Sequence, residues 1–218
     1  MKKLIVGISG ASAAIYGIRM LQALRAAKVE SHLVISDASK KIIPLETSYQ
    51  VADVEALASH VYPIDDIGAA IASGSFQVDG MVIIPCSIKS LSAVANSYNE
   101  NLLVRAADVT LKEGRRLVLV VREAPLHRGH LRLMLAAAEI GAVIYPPMPA
   151  FYSNPQTIDD LVNHTVGKIL DLFGIEHELL NRWQGAETPG FVSRARASVA
   201  MSCLKMRASA ICRRRSAP

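Results

Sequence analysis

Runs of apolar residues separated by helical patterns constrain the fold of this chain more than any other feature of its sequence. Continuous apolar segments predict strands at 4–9, 29–36, 80–85, 117–122 and 142–145. Apolar residues at helical spacing predict helices at 13–27, 51–60, 66–73, 90–97, 102–113, 130–140 and 157–173. This alternation indicates a three-layer α/β sandwich, in which helices cover both faces of a mainly parallel sheet. Ligands of such sheets bind at the carboxyl ends of the strands, so residues that follow each strand are the site candidates.

Composition places the body of the chain among ordinary globular domains. Of 218 residues, 51% are hydrophobic and 20% are charged, which excludes a mainly disordered chain. An apolar window of about 18 residues is absent from the sequence, so we expect no membrane span. The three cysteines (Cys86, Cys203 and Cys212) suggest neither a disulfide framework nor a zinc site. We therefore expect a cytoplasmic protein without a metal.

The positive charge of the chain is concentrated near its carboxyl end. The net charge is +5, but seven basic residues and one acid lie from Ala186 onward, which leaves residues 1–185 with a net charge of −1. The body therefore offers no electrostatic case for binding nucleic acid. We predict a domain at 1–185 and a basic, disordered tail at 186–218.

A loop rich in small residues follows the first predicted strand and opens a helix. It reads Gly7-Ile8-Ser9-Gly10-Ala11-Ser12-Ala13-Ala14. Small residues let the backbone approach a phosphate, and a helix N-terminus offers N–H groups to it. The glycine spacing departs from the dinucleotide fingerprint, and the loop lacks a Walker lysine, so a mononucleotide is the better hypothesis. A tight turn without a ligand explains the loop almost as well.

A second candidate follows the apolar strand at 80–85. The segment Cys86-Ser87-Ile88-Lys89-Ser90 brings two hydroxyls and a lysine to the carboxyl end of that strand. Ser87 also suits the N-cap of a helix. Cys86, directly after a buried strand, is better interpreted as a packed thiol than as a nucleophile.

Charged residues form the third candidate. Arg105 and Lys112 are seven residues apart in a predicted helix, so they share one face and would suit a phosphate, although a solvated face is the ordinary interpretation. Arg122 and Glu123 end an apolar strand, where a carboxylate beside cations could act as an acid or a base.

Aromatic residues near the end of the body form the last candidates. Three prolines stiffen the segment 145–152, which ends in Phe151 and Tyr152. These rings could wall a flat ligand or could simply pack. Trp183 is the only tryptophan, and it could close a pocket or pack on the core.

Taken together, these motifs resemble those of the UbiX/Pad flavin prenyltransferases, in order and at that family's spacing, over roughly residues 2–185. The matching segments are Gly10-Ala11-Ser12, Ser36, Leu45-Glu46-Thr47, Ala72-Ser73-Gly74, Pro85-Cys86-Ser87, Arg105-Ala106-Ala107-Asp108, Leu111-Lys112-Glu113, Arg122-Glu123-Ala124-Pro125-Leu126, Pro147-Met148-Pro149-Ala150-Phe151-Tyr152 and Arg182-Trp183.

The resemblance implies a flavodoxin-like, Rossmann-like fold and a homododecamer. It implies an enzyme that joins a dimethylallyl group from dimethylallyl monophosphate to N5 and C6 of reduced FMN without a metal. The prenylated FMN would serve a UbiD-type decarboxylase, in ubiquinone biosynthesis or in aromatic acid decarboxylation.

The resemblance also implies roles for single residues. The FMN ligands would be Gly10, Ala11, Ser12, Ser36, Ser87, Ile88, Lys89, Ser90 and Arg122. The prenyl phosphate would be surrounded by Arg105, Lys112, Arg122, Glu123, Tyr152 and Lys168. Positions tied to catalysis would be Ser12, Glu46, Ser73, Glu123 and Trp183.

Two positions depart from the family pattern. Ala13 stands where the family commonly has glycine, and Asp37 stands where it often has lysine. An alanine at position 13 is costly only if the backbone there requires a positive φ. The alternative functions are a flavin-dependent cysteine decarboxylase of the same fold, whose characteristic segment differs from residues 85–90, and a non-catalytic FMN carrier.

Overall fold

The computed structural model describes residues 1–180 and residue 182. The predicted tail at 186–218 and Trp183 lie outside the described residues. A single sheet of six parallel strands organises the part of the chain that is described. Its strands are β1 (Lys3–Ile8), β2 (Glu30–Ile35), β3 (His60–Tyr62), β4 (Gly80–Cys86), β5 (Arg116–Val121) and β6 (Val143–Ile144).

Seven α-helices connect and flank the strands in the described chain. They are α1 (Ile15–Ala26), α2 (Asp37–Glu46), α3 (Val51–Glu55), α4 (Ile88–Ala95), α5 (Leu102–Lys112), α6 (Arg128–Glu139) and α7 (Ile158–Leu172). Short 3-10 turns occur at Ala70–Ala72 and Phe151–Ser153. Among these helices none is long and apolar enough to cross a membrane.

The strand order is β3-β2-β1-β4-β5-β6. The chain runs outward from β1 to β3, then returns to the other side of β1 and continues outward from β4. This is the order of the doubly wound Rossmann sheet, and the reversal beside β1 is its switch point. The carboxyl ends of β1 and β4 therefore diverge into loops that leave a crevice between them.

Alternating side chains of β1 divide the core into two halves. Leu4, Val6 and Ile8 are buried in the cluster that includes α1, α2, α3 and α7. Ile5 points the other way, into the cluster that includes α4, α5 and α6. Side chains of a strand alternate between its two faces. Helices cover both faces of this sheet, so successive residues of a strand are all buried and the strands are continuous apolar runs. The predicted three-layer α/β sandwich is thus confirmed.

The sequence prediction was wrong in three places. Residues 51–60 were expected to be one helix, but α3 ends at Glu55 and His60 begins β3. The helix expected at 66–73 is only the 3-10 turn Ala70–Ala72. Helix α2 was not predicted, because Pro44 lies inside it and its residues are largely polar.

Candidate functional site

A cavity of about 360 Å³ opens at the carboxyl ends of the strands, beside the switch point. Its volume falls within the range of about 300–1,000 Å³ that is typical of small-molecule sites. It lies where doubly wound sheets bind their ligands. The lining residues are Gly10, Ser36, Asp37, Ala38, Ile64, Ser87, Ile88, Lys89, Ser90, Glu100, Asn101 and Glu123.

The loop after β1 is fixed to β4 through a buried serine. Ser9 Oγ donates to the carbonyl of Pro85 at 3.1 Å and accepts from the N–H of Ser87 at 2.8 Å. The next residue must be glycine, because a Cβ on Gly10 would lie 2.5 Å from the Cβ of Ala38 in α2. These contacts hold the loop, α2 and the start of α4 around one cavity.

A carboxylate from α2 occupies the N-terminus of α1. Glu46 Oε2 accepts hydrogen bonds from the N–H groups of Ala13 at 2.6 Å and Ala14 at 3.3 Å. Although partial burial raises the pKa of Glu46, hydrogen bonds from the Ser12 side chain and these two N–H groups, with the charge of Arg122, lower it overall. Glu46 is therefore ionised, and it takes two of the loop N–H groups that the sequence suggested for a phosphate.

Ala13 adopts the backbone conformation that the sequence analysis identified as costly. Its φ is +78°, in the left-handed region where glycine is favoured. The residue begins the turn into α1, directly beside the Ser12–Glu46 pair. The chain therefore carries backbone strain at the edge of the site, at a position where the related family commonly has glycine.

The first turn of α4 forms another wall of the cavity. Ser87 is its N-cap, and Ser87 Oγ accepts from the N–H of Ser90 at 3.2 Å. The ammonium of Lys89 lies 3.1 Å from a carboxylate oxygen of Glu100. Burial raises the pKa of the neighbouring Cys86 thiol to about 12, which confirms that Cys86 is a packed thiol.

The Arg122–Glu123 pair follows β5, on the far side of the crevice. The N–H of Arg122 donates to the carbonyl of Cys86 at 3.1 Å, which extends the pairing of β4 and β5. Glu123 lines the cavity, and its Oε1 accepts from the N–H of Ala124 at 3.1 Å. The positive charge of Arg122 contributes to the lowered pKa of Glu46, so these two predicted site residues lie in the same region of the protein.

A second group of predicted residues lies along α5, outside the lining of the cavity. Arg105 Nε donates to the carbonyl of Ala72 at 3.2 Å. The ammonium of Lys112 would lie 3.0 Å from a Cβ placed on Gly74, and Lys112 pairs with Glu113. Helix α5 begins beside the cavity, and its 11 residues carry Lys112 about 15 Å away from it.

Ser73 belongs to this second group as well. Its hydroxyl lies 2.9 Å from that of Ser75, in the loop that Arg105 and Lys112 contact. The sequence analysis missed Arg115, whose guanidinium donates to the carbonyls of Gly74 and Phe76 at 2.8 Å. Arg115 lies three residues after Lys112, and its position in the sequence gave no signal, because its partners are backbone carbonyls distant in sequence.

Tyr152 and Lys168 form a third group, on the segment that includes α7. Tyr152 Oη lies 2.9 Å from Nε2 of His164. Burial, with the charge of Lys168, lowers the pKa of His164, so the imidazole is neutral. Burial also raises the pKa of Tyr145, and Tyr152 and Tyr16 contribute to that shift. Lys168 itself lies 3.7 Å from Asp171.

The predicted site residues thus fall into three groups within one chain. The cavity brings together Gly10, Ser36, Glu123 and the segment Ser87–Ser90, with Ser12, Glu46 and Arg122 beside it. Ala11 is buried within the same loop. Arg105, Ser73 and Lys112 lie along α5, and Tyr152 and Lys168 lie near α7. Trp183 is outside the described residues.

Known proteins match this chain over most of its length. The family model described as Flavoprotein matches residues 1–170. The flavin prenyltransferase UbiX of Thauera aromatica is 58% identical over 185 residues, which cover 85% of this chain and 95% of the relative.

Two solved structures match at similar coverage. AnUbiX (PadA1) in complex with FMN and dimethylallyl pyrophosphate has a TM-score of 0.84 at 47% identity, and the match covers 85% of this chain and 99% of that chain. A dodecameric FMN-dependent UbiX-like decarboxylase from Escherichia coli O157:H7 has a TM-score of 0.82 at 53% identity, covering 84% and 100%.

The doubly wound sheet, with its cavity at the switch point, defines an α/β protein of the Rossmann-like class. Within that class, the chain belongs to the UbiX family of flavin prenyltransferases. It is a flavoprotein enzyme, a transferase that acts on FMN. The alternatives of a cysteine decarboxylase and a non-catalytic carrier are therefore not retained.

Proposed function

We propose that the cavity beside β1 binds FMN and that the enzyme transfers a dimethylallyl group from dimethylallyl monophosphate to it. The observation that carries this proposal is the lining of the cavity, which contains six of the nine residues expected to bind FMN. The residues fit such a ligand, since the hydroxyls of Ser36, Ser87 and Ser90 and the first turn of α4 offer polar contacts to an anionic nucleotide.

The charge of the cavity sets where the phosphate of FMN would be bound. Asp37, Glu100 and Glu123 are acidic lining residues, and Lys89 is paired with Glu100. Backbone N–H groups and hydroxyls must therefore supply most of the contacts to the phosphate. The first turn of α4 suits this task better than the first turn of α1, where Glu46 already accepts two N–H groups.

Cations at the donor site would promote departure of the phosphate. In the proposed reaction the C1′–O bond of the donor breaks, a bond to flavin N5 forms and N5 gives up its proton. Ring closure then adds a proton to the prenyl double bond, forms the bond to C6 and releases the proton of C6. Reduced FMN supplies the nucleophile. Guanidinium and ammonium groups stabilise the charge that develops on the leaving phosphate, which is the task we assign to Arg105, Lys112 and Arg122, with Tyr152 and Lys168.

The protons that leave N5 and C6 require an acceptor near the cavity, and the prenyl double bond requires a proton donor there. Glu123 lines the cavity, and the hydrogen-bonded pair of Ser12 and Glu46 lies beside it. A carboxylate that is held ionised can receive a proton through a hydroxyl. We assign the acid–base steps to these three residues, and we assign positioning roles to Ser73 and Trp183.

The separation of Lys112 from the cavity favours an assembly in which neighbouring chains complete the site. Lys112 lies at the far end of α5, so it would reach a prenyl phosphate at the cavity of another copy more readily than at its own. A related enzyme is a dodecamer. We propose the same assembly here, with aromatic side chains such as Phe151 and Tyr152 near the shared sites.

The product of this reaction is a modified cofactor, so it needs a recipient. We propose that a UbiD-type decarboxylase takes up the prenylated FMN, for ubiquinone biosynthesis or aromatic acid decarboxylation. We also propose a cytoplasmic location, for which the free, buried thiol of Cys86 is suited.

Substitution of Glu123 tests the proposed chemistry. Glu123→Gln should keep FMN bound and slow turnover at least about tenfold, as expected for a lost acid or base. Glu100→Gln, at another carboxylate of the same cavity, is the matched control and should leave turnover within about twofold. Steady-state turnover and FMN affinity are measured for both variants. Wild-type turnover in Glu123→Gln would remove Glu123 from the mechanism.

A further inference from the structure

Three metal-ligating side chains converge at the other end of the sheet, on strands β2 and β3. Glu30 and His32 lie two residues apart on β2, and His60 is in register with His32 on the neighbouring strand. One candidate ligand atom from each lies within 4.8 Å of the others. We propose that Glu30, His32 and His60 bind a divalent transition-metal ion of the zinc class.

Two of the three distances between the ligand atoms suit such an ion as they stand. Glu30 Oε1 lies 3.2 Å from His32 Nε2 and 3.3 Å from His60 Nε2. Ligands that bind zinc tetrahedrally at about 2.0–2.1 Å are separated from one another by about 3.3 Å. The two imidazole rings are stacked, with centroids 4.8 Å apart and planes 15° apart. Their ligand nitrogens lie within 4.8 Å of each other, so the half-exposed ring of His60 must turn toward His32 for both to bind one ion. Two imidazoles and one carboxylate favour zinc, nickel or cobalt over magnesium or calcium.

The surroundings of His32 support a binding role. Its side chain is 2% exposed, and its Nδ1 lies 3.0 Å from Oη of Tyr62. When Nε2 binds a metal, Nδ1 carries the proton and donates it to this hydroxyl. A hydrogen bond of this kind orients the ring of a metal-bound histidine. Phe76 also contacts the ring of His32, in an edge-on arrangement with 5.1 Å between centroids.

The remaining positions around the ion would be filled by water. His60 is half-exposed, so solvent reaches the cluster from the edge of the sheet. Lys3 competes with the ion, because its ammonium lies 3.3 Å from the same oxygen of Glu30. A bound cation would displace the Lys3 side chain into solvent, which its partial exposure allows.

The proposed metal site lies away from the cavity in which we place prenyl transfer. Strand β2 runs from Glu30 toward Ser36, and the four residues from His32 to Ser36 span about 13 Å. A metal here would join the short edge strand β3 to β2. We therefore assign it to stabilisation of the sheet edge, where β3 has only three residues.

The test is calorimetric titration of the untagged, full-length, flavin-loaded protein with ZnCl₂ after chelator treatment. We expect one Zn²⁺ per chain at this site, and a melting temperature raised by about 5 °C at a hundredfold excess over the Kd. Magnesium chloride should give neither effect. Prenyl transfer should be unchanged by the zinc load.

Four variants locate the site. His60→Ala and Glu30→Gln should weaken zinc binding more than about tenfold. Loss of a residue that only hydrogen-bonds to a metal ligand already lowers metal affinity by about that factor. Lys3→Met should strengthen it, because the competing ammonium is removed. His127→Ala is the matched control, as His127 stacks on His130 elsewhere on the surface, and it should leave binding unchanged. Absence of zinc binding, binding unchanged in His60→Ala, or binding lost in His127→Ala would overturn the proposal.

Discussion

The loop between β1 and α1 concentrates both the chemistry and the strain of the protein into four residues. Gly10 is required because α2 approaches closely, and Ser12 joins the carboxylate of Glu46. Ala13 carries a φ of +78°. The family resemblance identified this position, because the family commonly has glycine there. The positive φ is the physical reason why glycine is favoured at position 13.

At the residue scale, Ala13→Gly should stabilise the enzyme. The left-handed conformation costs a residue with a Cβ about 1–2 kcal/mol. Glycine removes this strain, but it also gives the unfolded chain more conformational freedom, which offsets part of the stabilisation. The net increase in the free energy of unfolding should be about 1 kcal/mol. For a domain of this size the melting temperature should rise by about 3 °C.

The control for this prediction is a neighbouring alanine in the same loop. Ala11 is buried and is not among the residues with positive φ, so Ala11→Gly should lower the melting temperature. Thermal unfolding of the flavin-free protein measures both changes. A lower melting temperature for Ala13→Gly would show that the angle imposes no strain.

At the scale of elements, the N-terminus of α1 depends on the C-terminal residue of α2. Glu46 ends α2 and accepts two N–H groups that α1 cannot satisfy internally. The carboxylate therefore stabilises α1 as a cap contributed by another helix, and it interacts favourably with the positive end of the helix dipole.

Replacing the carboxylate of Glu46 should make the free energy of unfolding less dependent on pH in acidic solution. Glu46→Gln should lower the free energy of unfolding by about 1 kcal/mol at pH 7, because a charge-assisted cap becomes a neutral one. The pKa of Glu46 is lowered from its ordinary value of 4.5. Its contribution is therefore complete above pH 4.5 and is lost as the pH falls through the folded-state pKa.

The expected outcome is a difference between wild type and variant that is constant at neutral pH and shrinks below pH 4.5. Urea unfolding at several pH values measures it, and Glu55→Gln on α3 is the control. A difference that stayed constant down to pH 3 would contradict the role given to this carboxylate.

The strands and helices differ in how well the sequence predicted them. Strands β1, β4 and β5 were predictable because each is a continuous apolar run buried on both faces. Strand β3 was missed because its three residues, His60, Val61 and Tyr62, are largely exposed at the sheet edge. The pairing of Ser12 with Glu46 depends on the contact of α2 with the loop before α1, and local patterns contain no signal for contacts between such distant residues.

At the scale of the whole molecule, the three groups of site residues require explanation. The cavity lies at one end of the sheet, whereas Lys112 lies at the opposite end of α5. The resemblance assigned all of these residues to one site, and the fold of a single chain does not bring them together. Assembly of several chains resolves this difference, since a symmetric oligomer can place one chain's helix end against another chain's cavity.

Mixed oligomers test this arrangement. Lys112→Ala and Glu123→Gln should each be nearly inactive as pure assemblies. If every site combines Glu123 of one chain with Lys112 of another, co-expressed variants should recover up to about a quarter of the wild-type rate, because random mixing rebuilds that share of sites. Light scattering should confirm an assembly of many chains.

A different pair provides the control for mixing. Mixing Glu123→Gln chains with Glu46→Gln chains should give no recovery. Both carboxylates lie at the cavity of the same chain, so every cavity in the mixture lacks one of them. Inactive Lys112–Glu123 mixtures in a confirmed oligomer would place Lys112 in its own chain's site or outside the reaction.

The most direct measurement for the central claim is the mass of the flavin after reaction. The protein is incubated without oxygen with reduced FMN and dimethylallyl monophosphate, with the diphosphate in a parallel reaction, and the extracted flavin is analysed by mass spectrometry. The account predicts a flavin heavier by one C5 unit with the monophosphate, formed many times more slowly by Glu123→Gln. A flavin of unchanged mass, from protein shown to bind FMN, would contradict it.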